Sequence, residues 1–133
     1  MRDPEFLTVA DVLLIHNRMV REFGGNIGMH DIKLLESAVA QPRARFGERW
    51  LHSDLYLMAT AYAFHIVRNH PFVDGNKRTG LTSAMLFLEL NGKATLHGDD
   101  SEANAALRDA TWRLSETGMS KEEFAGILRQ FFG

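Results

Sequence analysis

Two apolar segments at helical spacing, separated by a short polar turn, constrain this chain more than any other feature of it. In the first, Leu55, Met58, Ala59, Tyr62, Ile66 and Asn69 recur at helical intervals with few positions suited to solvent. That pattern predicts a central, mostly buried helix, capped by Ser53 or Asp54. Periodicity breaks over His70 to Gly75 and resumes from Asn76 to Leu90, with Asn91-Gly92 as the stop signal. The apolar runs Leu55–Ile66 and Leu81–Leu90 fall short of the ~20 residues a membrane-spanning helix needs. Thr60, His65, Thr82 and Glu89 interrupt them, so they read as core helices flanking a polar turn.

The remaining sequence adds helices around this pair. Val9, Val12, Leu13, Met19, Val20 and Phe23 form one apolar face between Thr8, a plausible N-cap, and the stop Gly24-Gly25. A Gly/Asn-rich turn, GGNIGMH, leads to Asp31, which caps a second helix through Leu34, Leu35, Ala38 and Val39 that must end before Pro42. Residues 43–52 read as a connecting loop. Lys93 to His97 reads as a brief strand or extended loop. A fifth helix, capped by Asp100 or Ser101, runs to about Glu116, and Ser120 with Glu123 forms a capping box for a sixth ending at Phe131-Phe132. The expectation is an all-α, compact bundle of about six helices with no convincing hairpin.

A chain of 133 residues, 45% hydrophobic and without a repeat or low-complexity tract, forms one domain over 1–133 with a core that needs no disulfide. The absence of cysteine excludes thiolate zinc sites, iron–sulfur clusters and cysteine nucleophiles. Fifteen Lys+Arg against 17 Asp+Glu leave a net charge of −2, so total charge supplies no sequence-independent grip on nucleic acid or an anionic membrane. Neither is expected as a direct partner. The opening MRDPEF has no apolar run like that of a signal peptide, and cytoplasmic residence is the expectation.

Chemistry concentrates in the turn, HPFVDGNKRTG from His70 to Gly80. A helix begins there, leaving its first N–H groups unpaired and carrying partial positive charge, which suits phosphate. Gly75 lets backbone approach an anion closely, and Lys77 and Arg78 add full charges. Two cations in a first turn oppose the helix dipole by a few tenths of a kcal/mol or more unless an anion sits there. A local rule broken in this way points to function. Asp74 can orient a cation or hold the Mg²⁺ that accompanies a nucleotide triphosphate. Asn76 can act as helix cap and phosphate donor, and His70 as general base for a hydroxyl.

Each residue also has a plain structural reading. His70 before Pro71 ends a helix, Asn76 caps one, Phe72 anchors a core, and an Asp–Arg or Asp–Lys pair is a solvated bridge worth under ~1 kcal/mol. The residues inform as an ordered set.

That set resembles the signature of the Fic/Doc superfamily, His-x-Phe-x-(Asp/Glu)-(Gly/Ala)-Asn-(Gly/Lys)-Arg, matched from His70 to Arg78. GGNIGMHDIKLLESAVAQPRARFG resembles the Gly-rich turn and second helix of Doc-type, death-on-curing toxins, and LFLELNG their post-signature helix. The resemblance implies enzymes that move AMP, phosphate or related groups from nucleotides to protein hydroxyls. It implies His70 as base, Asp74 as the Mg²⁺ residue, Gly75, Asn76, Lys77 and Arg78 as the nucleotide-phosphate run, and Phe72 as buried anchor. AMP-transferring members usually have Gly where Lys77 stands and a second Arg where Leu81 stands. The Doc branch has the Lys and lacks that Arg. Its resemblance implies a toxin that binds ATP in reversed orientation and phosphorylates a threonine of elongation factor Tu, arresting translation.

Many Fic proteins restrain themselves with a Ser/Thr-x-x-x-Glu helix, and no Ser or Thr here has Glu four positions on. The resemblance instead implies a Phd-like antitoxin whose C-terminal segment folds into a groove on the toxin, where exposed apolar surface is expected. The alternatives are an AMP-transferring enzyme and a silent member acting only by binding. Elsewhere, Arg43, Arg45 and Arg49, with Glu48 among them, read as a solvated loop. His65 reads as a hydrogen-bonded core residue, and Trp50 and Trp112 as packing. His16, His30, His52 and His97 have no metal-ligand spacing.

Overall fold

The computed structural model describes residues 3–96 and 101–133. All six expected helices are present: α1 (Val9–Phe23), α2 (Ile32–Ala40), α3 (Leu55–Asn69), α4 (Asn76–Leu90), α5 (Ser101–Glu116) and α6 (Lys121–Phe131). Their starts follow the capping chemistry. Thr8 and Asp11 form a reciprocal capping box on α1, Asp31 accepts from Lys33 N–H, Asp54 accepts from Leu57 N–H, and Ser120 with Glu123 boxes α6. Asp100, one expected cap of α5, and His97 lie outside the described residues.

Residues 43–52 depart from the expected loop. After a 3₁₀ turn at Gln41–Arg43, β1 (Arg45–Phe46) pairs antiparallel with β2 (Arg49–Trp50), Arg45 opposite Trp50 and Phe46 opposite Arg49. Two-residue strands are too short to show alternation in a sequence. The Arg43 and Arg45 guanidinium groups lie over the Phe6 and Trp50 rings, 5.0 and 3.9 Å from the centroids. They serve local packing. The expected extended segment after α4 does form: Ala94 exchanges backbone hydrogen bonds with Gly133, and Leu96 N–H donates to Phe131 O.

α3 is the central helix, with Met58, Ala59, Tyr62 and Ile66 buried almost completely, and it packs on α2, α4 and α6. Its crossing with α4 is close because Gly80 has no side chain. A Cβ there would stand 3.1 Å from Ala63 O and 3.3 Å from Ala63 Cα. This contact fixes the two helices that emerge from the polar turn. The Tyr62 hydroxyl accepts Leu7 N–H at 2.8 Å, tying the N-terminal segment to α3, and burial raises its pKa to about 12. On α1 the buried face is Val12, Ile15, His16 and Met19. Phe23, expected in that face, is 55% exposed. Among the described residues no helix is long and apolar enough to cross a membrane.

α6 docks on α3 through Arg129 and Asp54 (2.8 Å) and through Lys121. With both imidazoles neutral, Lys121 Nζ donates to His65 Nε2 at 2.9 Å and to His52 Nε2 at 3.2 Å. Burial first, then the Lys121 charge, lowers both histidines, His65 to about 4. Arg68 adds to the lowering at His65, while Glu122 opposes it at His52. The unfolded chain, with histidines near 6.5, therefore binds more protons than the folded one between about pH 6.5 and 4. Stability should hold above that window and fall as the pH drops through it. Thermal melts at pH 7.5 and 5 should show a lower Tm at pH 5, and His65→Gln should flatten the difference. An unchanged slope in that variant would place the acid sensitivity elsewhere.

Candidate active site

The turn between α3 and α4 is built from both ends. α3 closes on His70, whose φ of 51° and ψ of 54° put a non-glycine residue in the left-handed region while its N–H donates to Ile66 O. Such conformations are sparse and gather at functional sites. Phe72 follows, fully buried, its ring stacked on that of His16 at 3.6 Å between centroids and 6° between planes. His16 Nε2–H also donates to Asp74 O at 2.8 Å, so one buried side chain of α1 holds two points of the turn.

The Gly/Asn-rich segment before α2 lies along the other side. His30 N–H donates to Pro71 O (2.8 Å), Val73 N–H to Gly28 O (2.9 Å), and Asn26 N–H to Asp74 Oδ2 (2.7 Å). The last of these fixes the carboxylate of Asp74, which among the described residues has no cation partner. The His30 ring lies 5.8 Å from that of His70.

Asn76 corrects an expectation. It is not the cap of α4; that position belongs to Gly75, at φ 83°, a conformation glycine adopts without strain. The Asn76 side chain is buried and brackets Phe72, accepting its N–H at 3.1 Å and donating to its carbonyl at 2.8 Å. No side chain caps α4, and its first helical hydrogen bond runs from Thr79 N–H to Gly75 O. Among the described residues the N–H groups of Asn76, Lys77 and Arg78 have no partner, as an anion site requires.

His70, Asp74, Gly75, Asn76, Lys77 and Arg78 all line one cavity of about 470 Å³, so the turn brings the expected polar residues together around a single space. Phe72 stands behind it as the anchor. The two cations are accommodated differently from expectation. Lys77 Nζ reaches Glu116 of α5 at 3.4 Å, and the Arg78 guanidinium lies 4.2 Å from the centroid of Phe23. Lys77 thus has a protein carboxylate beside it, which offsets the conflict with the helix dipole. Among the described residues Arg78 has no carboxylate partner.

The opposite wall of the cavity was not legible in the sequence. It is α5, which contributes Arg108, Thr111, Trp112 and Ser115. Trp112, expected as packing, is 51% exposed there. His16 was also missed, although a lone polar residue between Ile15 and Met19 on a buried face was the available signal.

A six-helix fold with a His-to-Arg turn opening onto an uncapped helix N-terminus defines the class. The model of the Fic/DOC family matches residues 6–88, and the chain belongs to this family. Among its relatives, the toxin Doc of Mycolicibacterium smegmatis (strain ATCC 700084 / mc(2)155) is 41% identical over 124 residues, covering 92% of this chain and 93% of that protein. Protein kinase doc of Escherichia phage P1 is 29% identical over 127 residues, covering 96% and 95%. Both alignments extend past the family match into the C-terminal helices. The chain is a member of the Doc type.

Proposed function

We propose that this protein is a Doc-like toxin that transfers the γ-phosphate of ATP to a Thr or Ser hydroxyl of a protein, with elongation factor Tu as the target and translation arrest as the result. The carrying observation is the convergence of His70, Asp74, Lys77, Arg78 and three open N–H groups on one cavity. In the proposed reaction His70 takes the proton of the attacking hydroxyl. The new bond forms from that oxygen to the γ-phosphorus, the bond to the β-phosphate oxygen breaks, and ADP departs. Lys77, Arg78 and the N–H groups hold the phosphates, and positioning with charge neutralisation supplies most of the rate.

The donor set fits Mg²⁺ but no all-protein metal cage. Among the described residues no group of three His, Asp or Glu could hold a metal ion, whereas Mg²⁺ is commonly held by one or two carboxylates plus substrate phosphates. Asp74, oriented through Asn26, would be that carboxylate, and the ion would neutralise charge on the phosphates.

Two further observations support the kinase reading over AMP transfer. Lys77 rather than glycine occupies the phosphate run, and Leu81 lines the cavity where AMP-transferring relatives have a second Arg. The names of the two relatives, one a toxin and one a protein kinase, agree with it. A cytoplasmic site of action, where ATP and the target reside, belongs to the same proposal. So does a Phd-like antitoxin: a second cleft of about 320 Å³ between α1 and α4 sets Ile15, Met19, Met85 and Leu86 beside Thr82 and the charged Arg18, Glu22 and Glu89, a mixed surface that an amphipathic C-terminal segment could occupy.

Incubating the purified protein with a bacterial lysate and ATP labelled at either the α- or the γ-phosphate tests the reading. Label from the γ position on elongation factor Tu is expected. Label from the α position would establish AMP transfer instead. No label from either, with wild type and His70→Ala equally growth-inhibiting, would establish a binding role.

A further inference from the structure

Trp112 is the aromatic residue of α5. Its neighbours Ala110, Thr111 and Leu114 are buried to 2% exposure or less, yet the indole is half exposed at the cavity. Trp50, the other tryptophan, packs against Phe6 and lies beneath Arg45. Among the described residues no ring or cation packs on Trp112. Arg108, one helical turn earlier and facing the same cavity, has no carboxylate partner among the described residues. Arg108, Trp112 and Ser115 follow i, i+4, i+7 spacing, which places them on one stripe of the helix.

Distances along α5 order the cavity. Glu116 marks the phosphate end, because it meets Lys77. At 1.5 Å rise per residue, Trp112 lies about 6 Å from Glu116 along the helix axis and Arg108 about 12 Å. A ligand anchored by phosphates at the N-terminus of α4 and extending along α5 meets a flat aromatic face first and a set of N–H donors beyond it. A nucleobase has the complementary parts: a π-face, and ring nitrogens that accept hydrogen bonds.

We propose that Trp112 and Arg108 form the base-recognising wall of the nucleotide cavity, the purine stacking on the Trp112 indole and Arg108 donating to its acceptor edge. The inference rests on the nucleotide reading of the site and extends it to residues outside the turn. It assigns α5 a binding role and predicts that affinity is divided, with phosphates read by α4 and base by α5.

ATP and inorganic tripolyphosphate, each with Mg²⁺, separate the two halves. In a Trp50→Phe background, where Trp112 is the sole tryptophan, ATP should quench the fluorescence and tripolyphosphate should bind without comparable quenching. Calorimetric titration should show that Trp112→Ala raises the ATP dissociation constant about five- to 150-fold, the range of a lost base–aromatic stack. Tripolyphosphate affinity should stay unchanged, and Arg108→Ala should follow the same pattern. In the transfer assay Trp112→Ala should raise KM for ATP with kcat little altered. ATP affinity indifferent to Trp112→Ala, or tripolyphosphate binding weakened as much as ATP binding, overturns the assignment. If the unsubstituted protein binds neither probe, the nucleotide reading itself falls, a failure distinguishable from the first.

Discussion

Replacing His70 with alanine should lower the rate of γ-phosphate transfer by about 10²–10⁴-fold, the span associated with losing a general base, while the protein remains folded. His70 is exposed at the cavity, and its N–H bond to Ile66 O is a backbone interaction that survives the change. Glycine should be tolerated for a further reason. At φ 51° the histidine occupies a region that favours glycine, so its presence there is locally unfavourable. His70→Gly is thus the sharper variant: the thermal midpoint should rise or hold while transfer is lost. Label transfer from γ-labelled ATP and a thermal melt on the same preparations decide the matter. Transfer by either variant at the wild-type rate would remove His70 from the chemistry. A large fall in Tm for the glycine variant would make it a structural residue.

That opposition between local preference and position shows how far the sequence carried. Helices α1 to α6 were legible because each has an apolar period and most have capping side chains, signals that act within one element. The β1–β2 hairpin was not, since pairing of two residues on each side leaves no periodic trace. The contents of the turn were legible because helix-start chemistry, the charge pair Lys77-Arg78 and the resemblance pointed to the same eleven residues, 70–80. What supports that turn was not. His16 is 58 residues from Asp74, Asn26 is 48, and their links to it depend on tertiary packing that no local pattern encodes. Asn76 shows the same limit at short range: as a cap or phosphate donor its side chain would face solvent, whereas the burial of Phe72 draws it inward to satisfy that residue's backbone. Trp112 shows it on the far wall, where an exposed aromatic and a buried one have the same letter.

Phe72 is where the scaffold and the chemistry meet, and Phe72→Ala should cost about 3–5 kcal/mol of stability, the usual range for truncating a buried aromatic. The ring is wholly buried, and its face is covered by the imidazole of His16. Its loss leaves a cavity and unstacks the side chain that holds the Asp74 carbonyl. That loss is a large share of the about 5–15 kcal/mol that holds a domain folded, so Phe72→Leu supplies the folded counterpart: volume is largely kept and the stack is removed. Transfer by Phe72→Leu should fall more than its stability does, because the position of Asp74 loosens while the core still fills. His16→Ala should act in the same direction by removing the other partner. Combining the two in a double-mutant cycle, with urea unfolding as the readout, should give a coupling of about 0.5–3 kcal/mol, as expected for residues in contact. Strict additivity would mean that the stacked pair does not transmit order from α1 to the turn. Asp74 would then be positioned by the His16 hydrogen bond to its carbonyl and by Asn26 N–H to its carboxylate, independently of the stack.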